Sequence, residues 1–445
     1  MIGIAAFLAG VALAPPPPPP LPPQPVATAK PEEARALETP TFASSAEDVA
    51  LFVPRLVLTP PRLVLTMVFF PVQHGLRFLT RNLVASDSDP TNDDVGRSIS
   101  VLPHVSFLSG FGATVGGSAA YSNLAGWDEQ LALGAAFGGR YAHAIDLAFR
   151  TDRTAGSRLW LETGTRLDRR PQEIFRGFGD RSGDSESTRF REDRLIVRTH
   201  VGVTTGGPGG LVKAGVGVIA AHSSFGPKDD GSSDNPSIEA VHDTRALVGF
   251  DRGVTTVEPQ VKLVVDTRDA AFATSSGAVL TAFAGGVPAV GPDDYAYGHF
   301  GIDATGTINL FAKTRVLMLR GLVESVDGAS AKTPFSRLPT LGGSDRLRGY
   351  RADAYRDGKA ALVSAEYRYP IHQSVAGALF VDAGHVSHGF DTLLSLSRWR
   401  AGVGAGVRVR TKQALLFAVD VAYGEAVQVF LTVLPRPGLP DEDKR

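Results

Sequence analysis

The chain has 445 residues, 49 of them Gly and 20% charged, with a formal net charge of -1 and no cysteine. A near-neutral balance excludes the basic footprint of a nucleic-acid partner or a polybasic membrane patch, and a chain without Cys carries no disulfide framework. The length allows two or three soluble domains, but the pattern along the chain points elsewhere.

Residues 1–14, "MIGIAAFLAGVALA", form a short apolar run ending in small residues, with Ala12 and Ala14 placed as in an A-x-A cleavage site. This reads as a secretory signal peptide, although no Lys or Arg precedes the apolar run and Pro15 follows the candidate cut. Residues 15–48 open with "PPPPPPLPPQPVATAKPEEA", which forms no core and is expected to be an extended, disordered spacer. Such a segment serves as a periplasmic tether or as the binding site of a periplasmic partner.

Residues 49–95 begin apolar and basic, broken by Pro54, Pro60, Pro61 and Pro71. The uninterrupted stretches fall well short of the ~20 residues of a membrane-spanning helix. Short amphipathic helices in the membrane interface fit better, with Arg62, Arg77 and Arg81 on the polar face and Leu63, Phe69, Phe70, Leu76 and Phe78 beneath.

From about Gly96 the pattern changes to period two and holds it to residue 434. In "RAGVGAGVRVR" Ala401, Val403, Ala405, Val407 and Val409 alternate with Arg400, Gly402, Gly404, Gly406, Arg408 and Arg410. One face is apolar, the other cationic or bare backbone. The same alternation runs through "RLWLETGTRLD", "RLIVRTHV", "LVKAGVGVI", "QVKLVVDTRD", "ALVSAEYRYP" and "LLFAVDVAY". A soluble sandwich alternates too, but this run is long for one, has no credible interior helix, and carries many charges and glycines on its polar face. The expected fold is all-β: a transmembrane antiparallel β-barrel of about sixteen strands, at roughly twenty residues per strand plus loop, with short N-terminal interfacial helices. Residues 435–445 are left as a C-terminal tail.

Within that run "LGGSDRLRGY", 341–350, is a glycine-rich loop with two arginines. The next two strands supply carboxylates whose parity can be read. In "VSAEYRY" Ser364, Glu366 and Arg368 oppose the apolar Val363, Ala365, Tyr367 and Tyr369; in "LFVDAG" Phe380, Asp382 and Gly384 oppose Leu379, Val381 and Ala383. With the apolar faces toward lipid, Glu366 and Asp382 both point into the lumen. There they either hold an arginine of the loop or join a solvated network with the other lumen arginines.

The motif "GGSDRLRGY" resembles the arginine-glycine-aromatic motif on the sixth extracellular loop of the BamA/TamA family, the bacterial surface antigen barrels. The resemblance places the motif on Arg348, Gly349 and Tyr350, with Leu347 before it, and leaves Arg346 unassigned. It implies that the loop folds back into the barrel and that Arg348 meets a wall built from Glu366, Phe380, Asp382 and Gly384. "FRGFGD", 175–180, is similar to the family's aromatic-glycine loop. "DTRDAAFATSSG", 266–277, is similar to its Asp-x-Arg-Asp strand end, with Thr274 or Ser275 where the family has proline. The closest branch by resemblance is a short one lacking POTRA domains.

The resemblance implies a bacterial outer-membrane location and assistance in inserting outer-membrane proteins or translocating protein or lipid, without covalent chemistry. Outer-membrane lipids are implied as partners, together with unfolded outer-membrane proteins or a periplasmic protein held by the spacer. The alternative is a passive pore or structural barrel whose many lumen arginines, among them Arg368, Arg400, Arg408 and Arg410, favour anions.

No phosphate-binding loop, zinc-protease helix or G-x-S-x-G elbow occurs in the sequence, so no catalytic residue, cofactor or metal is assigned. His385 and His388 are expected in a turn after the second of the two wall strands. The acidic stretches 86–94 and 227–239 lack EF-hand spacing and read as solvated loops.

Overall fold

A computed structural model describes residues 98–433, apart from 127–128, 152–157, 180–186, 206–211, 230, 232, 271–272, 290–293, 312–313, 329, 373–374 and 411–414. The segments expected at 1–14, 15–48, 49–95 and 435–445, and the acidic stretch 86–94, lie outside the described residues.

Sixteen antiparallel strands close into one barrel. The first eight are β1 (Ser98–Leu108), β2 (Gly112–Ser122), β3 (Glu129–Gly138), β4 (Tyr141–Thr151), β5 (Leu159–Phe175), β6 (Thr188–Thr205), β7 (Val212–Pro227) and β8 (Val254–Asp266). β9 (Gly277–Val287), β10 (Tyr297–Phe311) and β11 (Arg315–Asp327) follow, and then a long loop that carries its own two-stranded sheet, β12 (Thr340–Leu341) with β13 (Tyr355–Arg356). The wall resumes with β14 (Lys359–His372), β15 (Val375–Ser387), β16 (Arg400–Arg410), β17 (Leu415–Tyr423) and β18 (Val427–Val433). β18 pairs with β1 from Val105↔Val433 to Leu108↔Phe430, and these four residue pairs close the ring.

The alternation read from sequence is the alternation of the wall. On β15 Leu379 and Val381 are 46% and 45% exposed, while Phe380 and Asp382 between them are 5% and 3%. On β5 Leu159 and Leu167 face out and Trp160, Arg166 and Asp168 are buried. The exposed apolar residues continue round the barrel through Val101, Leu133, Val218, Ile302, Leu319 and Val403. A belt of this size is a liability in water and the natural surface of a barrel in lipid.

The buried side is correspondingly polar. Asp168 accepts hydrogen bonds from Arg166, Arg170 and Arg194 at 2.7, 2.9 and 2.9 Å. Asp420 on β17 takes a two-pronged pair from Arg408 on β16 at 2.6 and 2.9 Å. Charges in such a space persist because they are paired and hydrogen-bonded.

The two rims differ. At one rim β15 starts within three positions of the end of β14, whereas the opposite rim carries the long connections from β5 to β6, β7 to β8, β11 to β14 and β15 to β16. Long loops mark the external side of an outer-membrane barrel. At this rim Phe175, Phe190, Ile238, Leu247, Phe250 and Phe335 form a buried cluster that packs the 228–253 and 328–358 loops together over the mouth. The stretch 227–239 is part of that structure: Asp229 receives Arg169 at 3.0 Å, and Ile238 begins a helical turn, Ile238–Val241, with its side chain in the cluster. His385, expected in a turn, lies instead inside β15, because that strand continues to Ser387; His388 follows it and is exposed.

Candidate functional site: the loop inside the barrel

The loop between β11 and β14 reaches far enough into the bore to touch wall strands. Its arginine 348 is 8% exposed. The guanidinium meets Asp382 through both oxygens, Nε donating to Oδ2 at 2.8 Å and Nη2 to Oδ1 at 2.8 Å. Nη1 donates to Oε2 of Glu366 at 2.7 Å and Nη2 to Ser364 Oγ at 3.3 Å. The backbone N–H of Arg348 also donates to Asp382, at 3.1 Å, and Cζ sits 3.4 Å from the centroid of the Phe380 ring.

Strand register explains the arrangement. β14 and β15 pair with Ser364 opposite Asp382 and Glu366 opposite Phe380. The two carboxylates therefore stand diagonally on one inner face, with an aromatic ring between them and a hydroxyl that itself donates to Asp382 at 2.6 Å. A planar, five-donor group suits this pocket better than a point charge does. The second Glu366 oxygen takes Arg368 at 2.6 Å.

Glycines supply the room. Gly349 has φ +97°, in the region an L side chain avoids, and a Cβ there would lie 2.8 Å from Gly424 N. Gly402, opposite Asp382 on β16, faces the carbonyl of Arg348 so closely that a Cβ would come within 1.9 Å of it. Gly404 is filled in the same way by the Phe380 ring, at 2.4 Å. The bare face of β16 is thus the seat of the loop. Gly384 has the same use on β15, where a Cβ would stand 3.0 Å from Leu341 Cδ1 of the loop. Tyr350 is buried, its hydroxyl donates to Ala401 O at 3.0 Å, and its ring meets Tyr355 edge-on at 5.5 Å.

The structure thus brings Arg348, Glu366, Phe380 and Asp382 into contact and sets Gly349, Tyr350 and Gly384 around them. Three further attachments have no counterpart in the sequence reading. Arg346, left unassigned there, is also buried: Nη2 donates to Glu324 on β11 at 2.6 Å and Nη1 to Thr340 O at 2.9 Å. Glu324 also contacts His299 on β10, which bridges to Glu258 on β8 at 3.0 Å.

On the far side of the bore Asp353 of the loop pairs with Arg140, which holds Glu173 of β5 at 2.7 and 2.5 Å. Burial by itself raises the Asp353 pKa, but Arg140, the Thr340 hydroxyl and Arg356 outweigh it and hold the carboxyl well below the usual range. The third attachment runs through the "FRGFGD" loop, where Arg176 pairs with Glu425, in the β17–β18 turn, at 2.8 and 2.6 Å. Tyr355 of the long loop donates to that same carboxylate at 3.4 Å. A periodic pattern carries no signal for these pairs, because their partners lie hundreds of positions apart in some cases: 213 for Arg140 and Asp353, 249 for Arg176 and Glu425.

The loop borders two lumen cavities. One of about 440 Å³ is lined among others by Tyr141, Arg166, Glu192 and Arg356. The other, about 940 Å³, reaches toward the opposite rim past Trp160, Lys262 and Arg368 to Arg268 and Thr274. Ser344, Asp345 and Arg346 border both.

The second motif turn, between β8 and β9, is stapled within itself. Asp269 accepts from the backbone of Ser275 at 2.8 Å and of Ser276 at 3.2 Å, and from the Ser275 hydroxyl. Burial opposes ionisation there, but the donors prevail and bring the Asp269 carboxyl down to about 2. A proline at 275 has no N–H for this bond.

A closed barrel with an apolar outer wall, a charged lumen and an ion-paired loop folded into it defines an outer-membrane β-barrel plugged by one of its own loops. An Omp85 superfamily domain matches residues 123–425. The chain belongs to the Omp85 superfamily, and its place is the bacterial outer membrane.

Among solved structures it is similar to BamA from Haemophilus ducreyi lacking POTRA domains 1–3, at 13% identity and a TM-score of 0.54, covering 76% of this chain and 70% of that one. It is also similar to CdiB from Escherichia coli, at 11% identity and a TM-score of 0.50, covering 75% of this chain and 62% of that one. These likenesses concern the fold. No curated protein sequence matches the chain.

Proposed function

We propose that the barrel assists the insertion of unfolded outer-membrane proteins by non-covalent means, with the β11–β14 loop as the element that holds its resting form. The observation that carries this reading is the crossing of the bore by that loop, fastened by Arg346 and Arg348 to β11, β14 and β15 and by Asp353 to Arg140 across the lumen. A bore crossed in this way does not pass a polypeptide. Work on a substrate therefore takes place at the wall or after the loop has moved, and the wall offers a natural place where its last strand meets its first, β18 on β1. The proline-rich segment at 15–48 is the proposed tether for a periplasmic partner.

The passive anion pore is the weaker alternative. Two of the lumen arginines that would set an anion-favouring field are matched by carboxylates, Arg408 by Asp420 and Arg368 by Glu366, which weakens that field at a distance.

Depletion of the protein in its host, followed by quantification of other outer-membrane proteins, tests the insertion reading. A fall in several unrelated barrels is expected; unchanged levels overturn it. In planar bilayers the purified protein is expected to show a small, flickering conductance, and large, steady, anion-selective currents overturn the plugged bore.

A further inference from the structure

The loop between β15 and β16, residues 388–399, behaves unlike the other long loops. Those over the mouth bury Ile238, Phe250 and Phe335, and their exposed apolar residues, Phe178 and Val241, reach only 43% and 44%. This one leaves Leu394 and Leu396 at 75% and 77% exposed, the two most exposed large apolar side chains among the described residues.

Its position gives the reason. On β11, β14 and β15 the odd-numbered positions face outward, as Val323, Val363 and Val381 show. Toward the long-loop rim that face stops being exposed: Ser325 is 0%, Lys359 6% and Ser387 5% exposed. They lie in one row across three paired strands, Ser325 opposite Lys359 and Lys359 opposite Ser387, and Phe300 on β10 continues the row.

What covers them is the helical turn Phe390–Leu393, which packs on β14 and β15. The Phe390 ring lies over Lys359 Nζ at 5.1 Å and stacks on Phe300, ring centres 6.1 Å apart. Phe300 is an outward residue of the lipid-facing belt, two positions from Ile302. Lys359 lies beneath this cover and is neutralised at 2.5 Å by Asp327, whose side chain is itself exposed. The loop is therefore folded over the outside of the barrel, and its turn adds to the apolar belt at its upper edge.

We propose that residues 390–396 are an interfacial membrane anchor that places Leu394, Leu396 and the edge of Phe390 among the acyl chains of the outer leaflet. The continuity of Phe390 with Phe300 and Ile302 makes lipid the occupant: the surface extends an interface that the barrel already has with lipid. Its capped polar row, Ser325, Lys359 and Ser387, shields what would otherwise be a hydrophilic notch in the belt. An anchor on this side makes the wall from β10 to β15 adhere to the outer leaflet and leaves the β1–β18 closure outside its reach.

The chain contains no cysteine, so single-cysteine labelling is clean. Leu396→Cys and, as a second site, Leu394→Cys are labelled with an environment-sensitive fluorophore and reconstituted in phosphatidylcholine vesicles with and without doxyl-labelled lipid. Leu379→Cys in the belt and Glu239→Cys on an exposed loop are the lipid and water references, and heat-modifiable gel mobility confirms that each variant is folded.

The expected result is a blue-shifted emission at 394 and 396, quenched by doxyl lipid as at 379 and protected from aqueous iodide. Emission and iodide quenching like those at 239 overturn the proposal. A blue shift without doxyl quenching, the signature of burial against protein such as a second copy, also overturns it.

Discussion

Arg348 and Asp382 are joined by three hydrogen bonds, two from the guanidinium and one from the backbone N–H of the same arginine, at 2.8, 2.8 and 3.1 Å. The backbone bond makes the contact one of loop position as well as side-chain charge. A carboxylate that binds both can be satisfied only when the loop is seated against β15. The aspartate therefore responds to whether the loop is in place.

Replacing Arg348 by Ala leaves Asp382 and part of Glu366 buried without their partner, a loss on the order of 3–5 kcal/mol. Arg348→Lys restores the charge without the fork and is expected to recover only part of it. Heat-modifiable gel mobility across a temperature series measures both: the Ala variant unfolds at the lowest temperature, the Lys variant between it and the parent. A Lys variant equal to the parent would show that charge alone holds the loop.

Arg346→Ala removes a single carboxylate partner, Glu324, and one carbonyl bond. Glu324 keeps His299 at 3.2 Å, so the expected loss is smaller than for Arg348→Ala but clearly measurable, about 1–3 kcal/mol. The same gel series ranks the two; an Arg346→Ala variant that equals the parent sinks the second fastening.

Acid should weaken the far fastening progressively below about pH 4. A carboxyl whose folded pKa is depressed, as that of Asp353 is, contributes stability that is fully present above its unfolded value of about 4 and is lost as pH falls toward the folded pKa. Asp353→Asn gives up this contribution at neutral pH and is expected to flatten the decline below about pH 4. Protease cleavage of the long loop, followed against pH in parent and variant, reads the difference; parallel curves would refute it.

Gly402→Ala tests the seat. The added Cβ falls 1.9 Å from the Arg348 carbonyl, so either β16 or the loop must move, at a cost of roughly 1–3 kcal/mol. Gly306, whose Cβ would meet nothing within 4 Å, is the control site. Equal thermal mobility of the Gly402→Ala and Gly306→Ala variants would show that the loop is not pressed on β16.

Much of this was legible beforehand where it depended on local pattern. Parity assigned Glu366 and Asp382 to the lumen, because a residue's face on a strand is decided by odd or even position alone. The bare glycines of "RAGVGAGVRVR" were visible as a face without side chains, but not what fills it. Arg346 looked like a spare charge since nothing near it in sequence distinguishes it from Arg348. His385 was expected in a turn, and the strand's continuation to Ser387 under the covering loop placed it in the wall.

The amino-acid sequence by itself determined the two-faced strands, their approximate number, the charged inner face and the apolar outer one. These follow from a period of two and from the hydrophobic effect acting on each strand separately. The tertiary structure alone decided which carboxylate meets which arginine, as in Arg346 with Glu324, Asp353 with Arg140 and Arg176 with Glu425. It also decided that one long loop enters the bore while another folds over the outer wall. Those outcomes depend on closure of the ring and on the stagger between strands far apart in the chain, and alternation within a strand carries no record of either.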